Sequence, residues 1–521
     1  MRSKNIVLII AISIISLLLT SCIPTNTFNT KETIPLEIVQ IIKNNRNISK
    51  NNASEKMKEF KTKLYKYENF DDELAPENIA MKKDEIVSTI SLSEAIEDVE
   101  YMFNVLKYAY PGYEYFGGDK TFLSAKDKIL NNLSSFNEEI TLDTLFNTIT
   151  TNMDFIQDGH FYIYTDKNSY DPCKEYYYLN NEDMQINKDG NRFYTINGNE
   201  KYYIDSINGD KNIDDYIKPA LSQDGSIVYN LGITYPDRYK SVDVIFKSSK
   251  KTITKNIPLL YKFPKQLDNV GYEKYEIGGT SIVKNRRMLP MSYDDKIHDE
   301  LDGFVESAKE LKNEEIFILD IRNNLGGISN YPMGWYENFT GKEPSSEKFF
   351  AKLNTKTIYN LFLDIENKSD IPNHELSDEV KSKLSGKEKE LVNGAWYTGY
   401  YTENRFDNEP LVIVLINNNV ASAGEEFVSY LRTLNNVLFI GTNTSGAVLI
   451  GSNTSWYLPN SNIAINSGTN INLPPTMENV DGKGFYPDLW VNSEDIVDRV
   501  INFINKYDLS NINIGCTDNE K

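Results

Sequence analysis

Cysteine and histidine are nearly missing from this 521-residue chain, which has three of each. Cys22, Cys173 and Cys516 are too few and too far apart to form a disulfide framework. His160, His298 and His374 stand outside ligand spacing of one another and of any cysteine, so no metal site and no cofactor is expected. Positive charge is also short: 55 Lys and Arg against 75 Asp and Glu leave a net charge of −20. Without a basic surface to neutralise phosphates, nucleic acid is excluded as a partner. Long apolar runs are absent except near the start, where Ile6 to Leu19 is too short to span a bilayer comfortably. Tyrosine, by contrast, is plentiful at 34, and 40% hydrophobic residues supply a globular core. A chain this long is expected to divide into about two to four domains.

The N-terminus reads as an address. Arg2 and Lys4 precede the apolar run, and Leu19-Thr-Ser-Cys22 follows it, the layout of an export signal over residues 1–21. Its ending resembles the lipobox of bacterial lipoproteins. That resemblance implies lipidation of Cys22 and a protein held by the lipid on the extracytoplasmic face of the cell membrane. The other reading is an ordinary signal peptide in which Cys22 is incidental.

Residues 22–88 are rich in Asn, Lys, Glu and Thr with no sustained period, and read as a tether leading into a poorly packed or partly helical segment. Residues 89–192 open with three helices. The first runs from Ser91 to a stop at Pro111-Gly112, the second lies within Lys120 to Leu133, and the third spans Leu142 to about Met153. An Asp158-Gly159 turn then leads through His160 into an aromatic, β-prone strand. Residues 193–262 read as short strands, with an Asn208-Gly209 turn, a helix over Ile213 to Leu221, and a hairpin of Val242–Phe246 with Thr252–Ile257. Residues 263–500 alternate strand and helix, the mark of an α/β layer fold with a largely parallel core. Residues 501–521 form a C-terminal tail.

Within the α/β part, Leu411 to Ile416 is an unbroken aliphatic run, short enough for a strand buried on both faces. Ser422-Ala-Gly-Glu-Glu then opens a helix marked by Phe427, Val428, Leu431 and Leu434. Two uses are open to a serine at such a junction. As an N-cap it would satisfy an orphan N–H. As a nucleophile it would project from a tight turn beside backbone N–H groups able to hold an oxyanion. A second buried strand, Ile316 to Ile321, runs into Arg322-Asn-Asn-Leu-Gly-Gly327, where paired glycines let N–H groups approach a ligand. Both loops leave the carboxyl ends of strands and would face one crevice.

Asp320-Ile-Arg-Asn-Asn-Leu-Gly-Gly327, the Ser422-Ala-Gly-Glu turn, Gly441-Thr-Asn-Thr-Ser-Gly446 and Pro487-Asp488 occur in this order. Together they resemble the serine peptidases of the tail-specific (C-terminal processing) and tricorn type. The resemblance implies a crotonase-like catalytic domain, a PDZ-like module over 193–262, and hydrolysis of a peptide or protein substrate. It makes Ser422 the nucleophile, with Ala423 and Gly327 or Gly326 supplying oxyanion-hole amides. The tail-specific pattern has a lysine at the position of Ala447, so that base is missing. The tricorn pattern has a histidine before a strand in the preceding part, and His160 matches it. Glu478 corresponds best to the orienting acid, with Asp481 its rival and Lys483 a conceivable stray base. Gly159 stands where that pattern has a serine. The absent lysine also motivates a different class, a catalytically silent peptide- or ligand-binding lipoprotein that keeps the fold.

Overall fold

The computed structural model describes residues 34–509 apart from 35, 37–38, 41, 44–52, 65–72, 76–77, 81, 85, 137, 236–238, 263, 266, 291–294, 359, 362–394 and 404. The export signal, Cys22, His374 and Cys516 lie outside the described residues.

Helix α1 (Leu92–Ala109) begins at a capping box: Ser91 accepts from the Glu94 amide, and the Glu94 carboxylate accepts from the Ser91 amide. Helices α2 (Gly118–Leu133) and α3 (Leu142–Thr150) pack beside it, as the apolar spacing predicts. The described part of the preceding segment is better packed than its composition suggests. Phe60, Leu64 and Ile79 are buried in the same core, and Phe60 meets Phe349 with ring centroids 5.6 Å apart.

After α3 the chain makes strand β1 (Tyr162–Tyr164), which pairs antiparallel with Ala464–Ser467, about 300 positions downstream. This pairing carries His160, two residues before β1, onto the C-terminal half of the molecule.

Residues 177–258 form a seven-stranded antiparallel sheet whose first strand, Tyr177–Asp189, starts earlier than the expected boundary at 193. Asn208 and Gly209, at φ 50° and 82°, make the expected turn. The expected helix over 213–221 is a correction. Only Ile213–Tyr216 is helical, as a single 3₁₀ turn, and Ile217–Leu221 is a strand paired with Ile227–Tyr235. Pro219 disfavours continuing a helix through Lys218, and burying Ile217, Ala220 and Leu221 against the sheet outweighs a short helical period.

The six-stranded sheet lies between two apolar layers. Its order is β2 (Glu273–Ile277), β3 (Thr280–Lys284), β4 (Ile316–Asp320), β5 (Leu411–Ile416), β6 (Val437–Gly441) and β7 (Leu489–Trp490), parallel except for β2. Alternate residues of β5 serve opposite layers. Val412, Val414 and Ile416 meet helices α4 (Asp295–Leu311), α5 (Asn330–Thr340) and α6 (Ala423–Leu431), while Leu411, Ile413 and Leu415 meet α7 (Ile496–Tyr507). That two-sided burial is why β5 reads as a continuous aliphatic run. Helix α7 passes through the expected tail boundary at residue 500, burying Val500, Phe503 and Ile504. Among the described residues no helix is long and apolar enough to cross a membrane.

Candidate active site

Ser422 sits between β5 and α6 at φ 53°, ψ −122°, and its side chain makes no capping bond. The N-cap use therefore fails. A residue with a Cβ at these angles is strained by about 1–3 kcal/mol, and the surroundings hold it there. Gly326, at φ 90°, presses against the turn so closely that a Cβ on it would lie 2.6 Å from the Ala421 oxygen and 3.0 Å from the Ser422 Cβ. A Cβ on Gly424 would lie 2.7 Å from the Asn324 oxygen, so glycine is required on the helix side as well.

The Asp320–Gly327 loop is anchored from beneath. Burial pushes the Asp320 carboxyl upward, but Arg322 and Arg286 outweigh it and hold the group well below the usual carboxylate range. Arg286 reaches both carboxylate oxygens at 2.7 Å, and Arg322 reaches them at 2.8 and 2.6 Å. Further along, the Gly326 N–H donates to Asn324 Oδ1 at 2.8 Å, which takes Gly326 out of the pair of candidate oxyanion donors. The Gly327 and Ala423 N–H groups meet no acceptor among the described residues.

Glu425, on the first turn of α6, is fully buried and accepts three bonds: from Thr444 Oγ1 at 2.5 Å, the Gly446 amide at 2.8 Å and the Ala447 amide at 2.7 Å. Burial pushes its carboxyl up to about 7 against these donors. Glu425 thus ties the serine helix to the loop after β6. That loop touches the histidine turn in its own right: a Cβ on Gly159 would sit 2.7 Å from the Gly446 oxygen and 2.9 Å from the Ala447 Cβ. Gly159 and Ala447 therefore meet in one packing contact between two small residues.

His160 is held on several sides. Its amide donates to Asp158 Oδ1 at 2.9 Å, its carbonyl accepts from Asn466 at 2.6 Å, and its Nδ1 lies 2.8 Å from the Ile450 carbonyl. A carbonyl only accepts, so the proton is on Nδ1 and Nε2 carries the lone pair. Burial lowers the imidazole pKa despite the Ile450 bond, keeping the ring neutral near pH 7.

Asp481 is the carboxylate that reaches this turn. It accepts from the Gly159 amide at 2.8 Å and from the Val448 and Leu449 amides at 2.9 Å each. It therefore fixes both the backbone before His160 and the segment leading to the Ile450 carbonyl. Burial pushes it up to about 6. Neighbouring Asp158, bonded by the Tyr110 hydroxyl at 2.8 Å, is raised well above the usual range by burial and then by Asp481. Glu478 is exposed and takes part in none of these bonds. The Lys483 ammonium lies 5.5 Å from the Tyr176 ring centroid.

The structure thus joins Ser422, Ala423, Gly326, Gly327 and the His160 turn through Glu425 and the 444–447 loop, and leaves Glu478 outside. Sequence reasoning passed over Glu425 and Asp158, although each is adjacent to a motif it used: Glu425 closes Ser-Ala-Gly-Glu, and Asp158 opens Asp-Gly-His. Among the described residues no group of three or more His, Cys, Asp or Glu could hold a metal ion.

Residues 287–491 match the sequence model of peptidase family S41. The chain is a mixed α/β protein of several sheets, and the match to that family model falls on β4 to β7 of its six-stranded sheet and the loops that leave them. No curated protein matches it. Among solved structures it is similar to mature CPAF, with 14% identity, a TM-score of 0.42 and coverage of 81% of this chain and 98% of that one. For the photosystem II D1 C-terminal processing protease the identity is 13% and the TM-score 0.35, covering 79% of this chain and 97% of that one. For the tricorn protease they are 14% and 0.34, covering 81% and 37%.

Proposed function

We propose that this protein is a serine endopeptidase, anchored by a lipid on Cys22 at the extracytoplasmic face of the membrane, with a crotonase-like catalytic domain and a PDZ-like sheet over residues 177–258. The observation that carries the reading is the Ser422 turn: a strained, uncapped serine between a buried strand and a helix, packed against Gly326, with the Ala423 amide next to it and the amide of Gly327, the residue after Gly326, both uncommitted.

In this mechanism His160 Nε2 takes the Ser422 proton as Oγ attacks the carbonyl carbon of a peptide bond. The carbonyl oxygen becomes an anion received by the Gly327 and Ala423 N–H groups, each such donor contributing about 3 kcal/mol. The tetrahedral species collapses, the C–N bond breaks, and His160 returns its proton to the leaving amine. Water, deprotonated by the same imidazole, then hydrolyses the ester on Ser422. Asp481 acts through the backbone as the positioning acid, a role the sequence favoured for Glu478. Burial-induced neutrality of His160 supports the base assignment.

A fluorophosphonate probe tests the reading. Labelling of the full chain that disappears in Ser422→Ala and is lost in His160→Ala supports the peptidase. A wild type that stays unlabelled from pH 5 to pH 9 supports the silent binding lipoprotein instead.

A further inference from the structure

A cavity of about 330 Å³ opens at the carboxyl ends of β4, β5 and β6, on the α7 side of the sheet. Its lining includes Lys262, Lys265 and Arg322 and only one carboxylate, Glu494. In a chain with net charge −20, a concave site with three cations and one acid runs against the background. Glu494 offsets Lys265 only weakly, since the pair is 3.3 Å apart with both side chains largely exposed. Lys262 has no ion-pair partner among the described residues. Arg322 spends Nε and Nη2 on Asp320, which Arg286 also neutralises, and its Nη1 meets no acceptor among the described residues. Asn417 and Thr442 add polar groups to the same wall. A cavity of this volume with a few convergent polar groups suits a small molecule, and the charge selects an anion.

The wall is shared with the serine turn. Asn323, next to Arg322, donates to the Lys265 carbonyl at 2.8 Å, and its amide donates to Asn417 Oδ1 at 3.0 Å. Asn324 follows: its carbonyl accepts from the Ala421 amide at 3.0 Å, and its Oδ1 holds the Gly326 amide. Between the cavity and Ser422 there is thus a continuous ladder of two asparagines.

We propose that this cavity binds a small oxyanion, a carboxylate or a phosphate, held by Lys262, Lys265 and the outer edge of Arg322, and that its occupancy sets the Arg322–Gly327 loop against the Ser422 turn. Binding stands apart from the peptidase reading, whereas the effect on Ser422 rests on it.

The test is thermal unfolding of the full chain titrated with inorganic phosphate or with succinate, at constant ionic strength because such contacts are screened by salt. A saturable rise in melting temperature is expected in the wild type and equally in Ser422→Ala. Replacing both Lys262 and Lys265 by Gln is expected to weaken it at least about tenfold, while replacing the remote exposed Lys201 and Lys309 is expected to leave it unchanged. A response to phosphate alone identifies a phosphoryl ligand, and a response to succinate alone a carboxylate. Absence of saturation with both anions, or equal weakening in the remote variant, overturns the site. The rate of fluorophosphonate labelling of Ser422 should change with the same midpoint, and a rate that ignores the anion overturns the coupling. If Ser422 is never labelled, the peptidase reading fails while the titration still decides the site.

Discussion

Asp481 accepts the Gly159 amide at 2.8 Å although 322 positions separate the two residues. With its bonds to Val448 and Leu449, that carboxylate sets the backbone on both sides of the His160 ring. Asp481→Asn turns an amide donor toward backbone donors and leaves at least one of them unpaired. If Ser422 and His160 act as proposed, kcat is expected to fall about a hundredfold with KM little changed, through misplacement of the base. Glu478→Gln is expected to stay within about twofold of the wild type, since exposed substitutions away from the cluster do little. Steady-state peptide hydrolysis by the two variants checks the ranking, and the reverse order would restore Glu478 as the orienting acid.

The Ser422 backbone makes a separate prediction about stability. Alanine keeps the Cβ at φ 53°, whereas glycine relieves it. Ser422→Gly is therefore expected to be more stable than Ser422→Ala by about 1 kcal/mol, after allowing for the greater freedom of glycine in the unfolded chain. Urea unfolding of the two inactive variants measures the difference. A glycine variant less stable than the alanine variant would mean that the turn is unstrained.

Activity against pH should show a low acid limb. His160 is pushed below 6.5 by burial, so neutral imidazole persists to lower pH than in a free histidine. Between its lowered value and 6.5 the folded state binds fewer protons than the unfolded chain, so this group favours folding as pH rises and opposes it as pH falls. The limb in kcat/KM is expected below pH 6.5. Asp481, pushed up to about 6 by burial, also takes up a proton as the pH falls, and because Asp158 lies beside it that step belongs to the two carboxylates together rather than to His160.

Glu425 works in the opposite sense. Its carboxyl is raised from 4.5 to about 7, so its contribution to stability is fully present below 4.5 and is lost as pH rises toward 7. Glu425→Gln is expected to remove that decline, while disturbing the Ala447 bond and lowering stability at pH 4.5. Unfolding free energies at several pH values, compared between the two proteins, check the slope. Parallel curves would mean that Glu425 ionises normally.

Gly159→Ala places a methyl 2.7 Å from the Gly446 oxygen and 2.9 Å from the Ala447 Cβ. Backbone cannot yield there as a flexible side chain would, and a loss of about 1–3 kcal/mol is expected. Ala447→Gly in the same chain should recover part of it if the clash is with the Ala447 methyl. Thermal unfolding of the single and double variants distinguishes that from a clash with the Gly446 carbonyl alone.

Much of this protein could be read from local pattern, because strands and helices answer to periods of two and 3.6 along the chain. The limits of β5 and β6, the three early helices and the serine between strand and helix all followed from runs of aliphatic residues and the breaks between them. The 217–221 segment did not, because pairing with Ile227–Tyr235 overrode a short helical spacing. Apart from Asp158, the partners of His160 lie beyond any local pattern. They depend on β1 adding to a strand about 300 positions away, and on buried carboxylates at 425 and 481 choosing amides that folding alone brings within reach. One-dimensional order can nominate a serine and a histidine. Which acid holds them, and which glycine keeps a free amide, is decided by hydrogen bonds formed only after the sheets have closed.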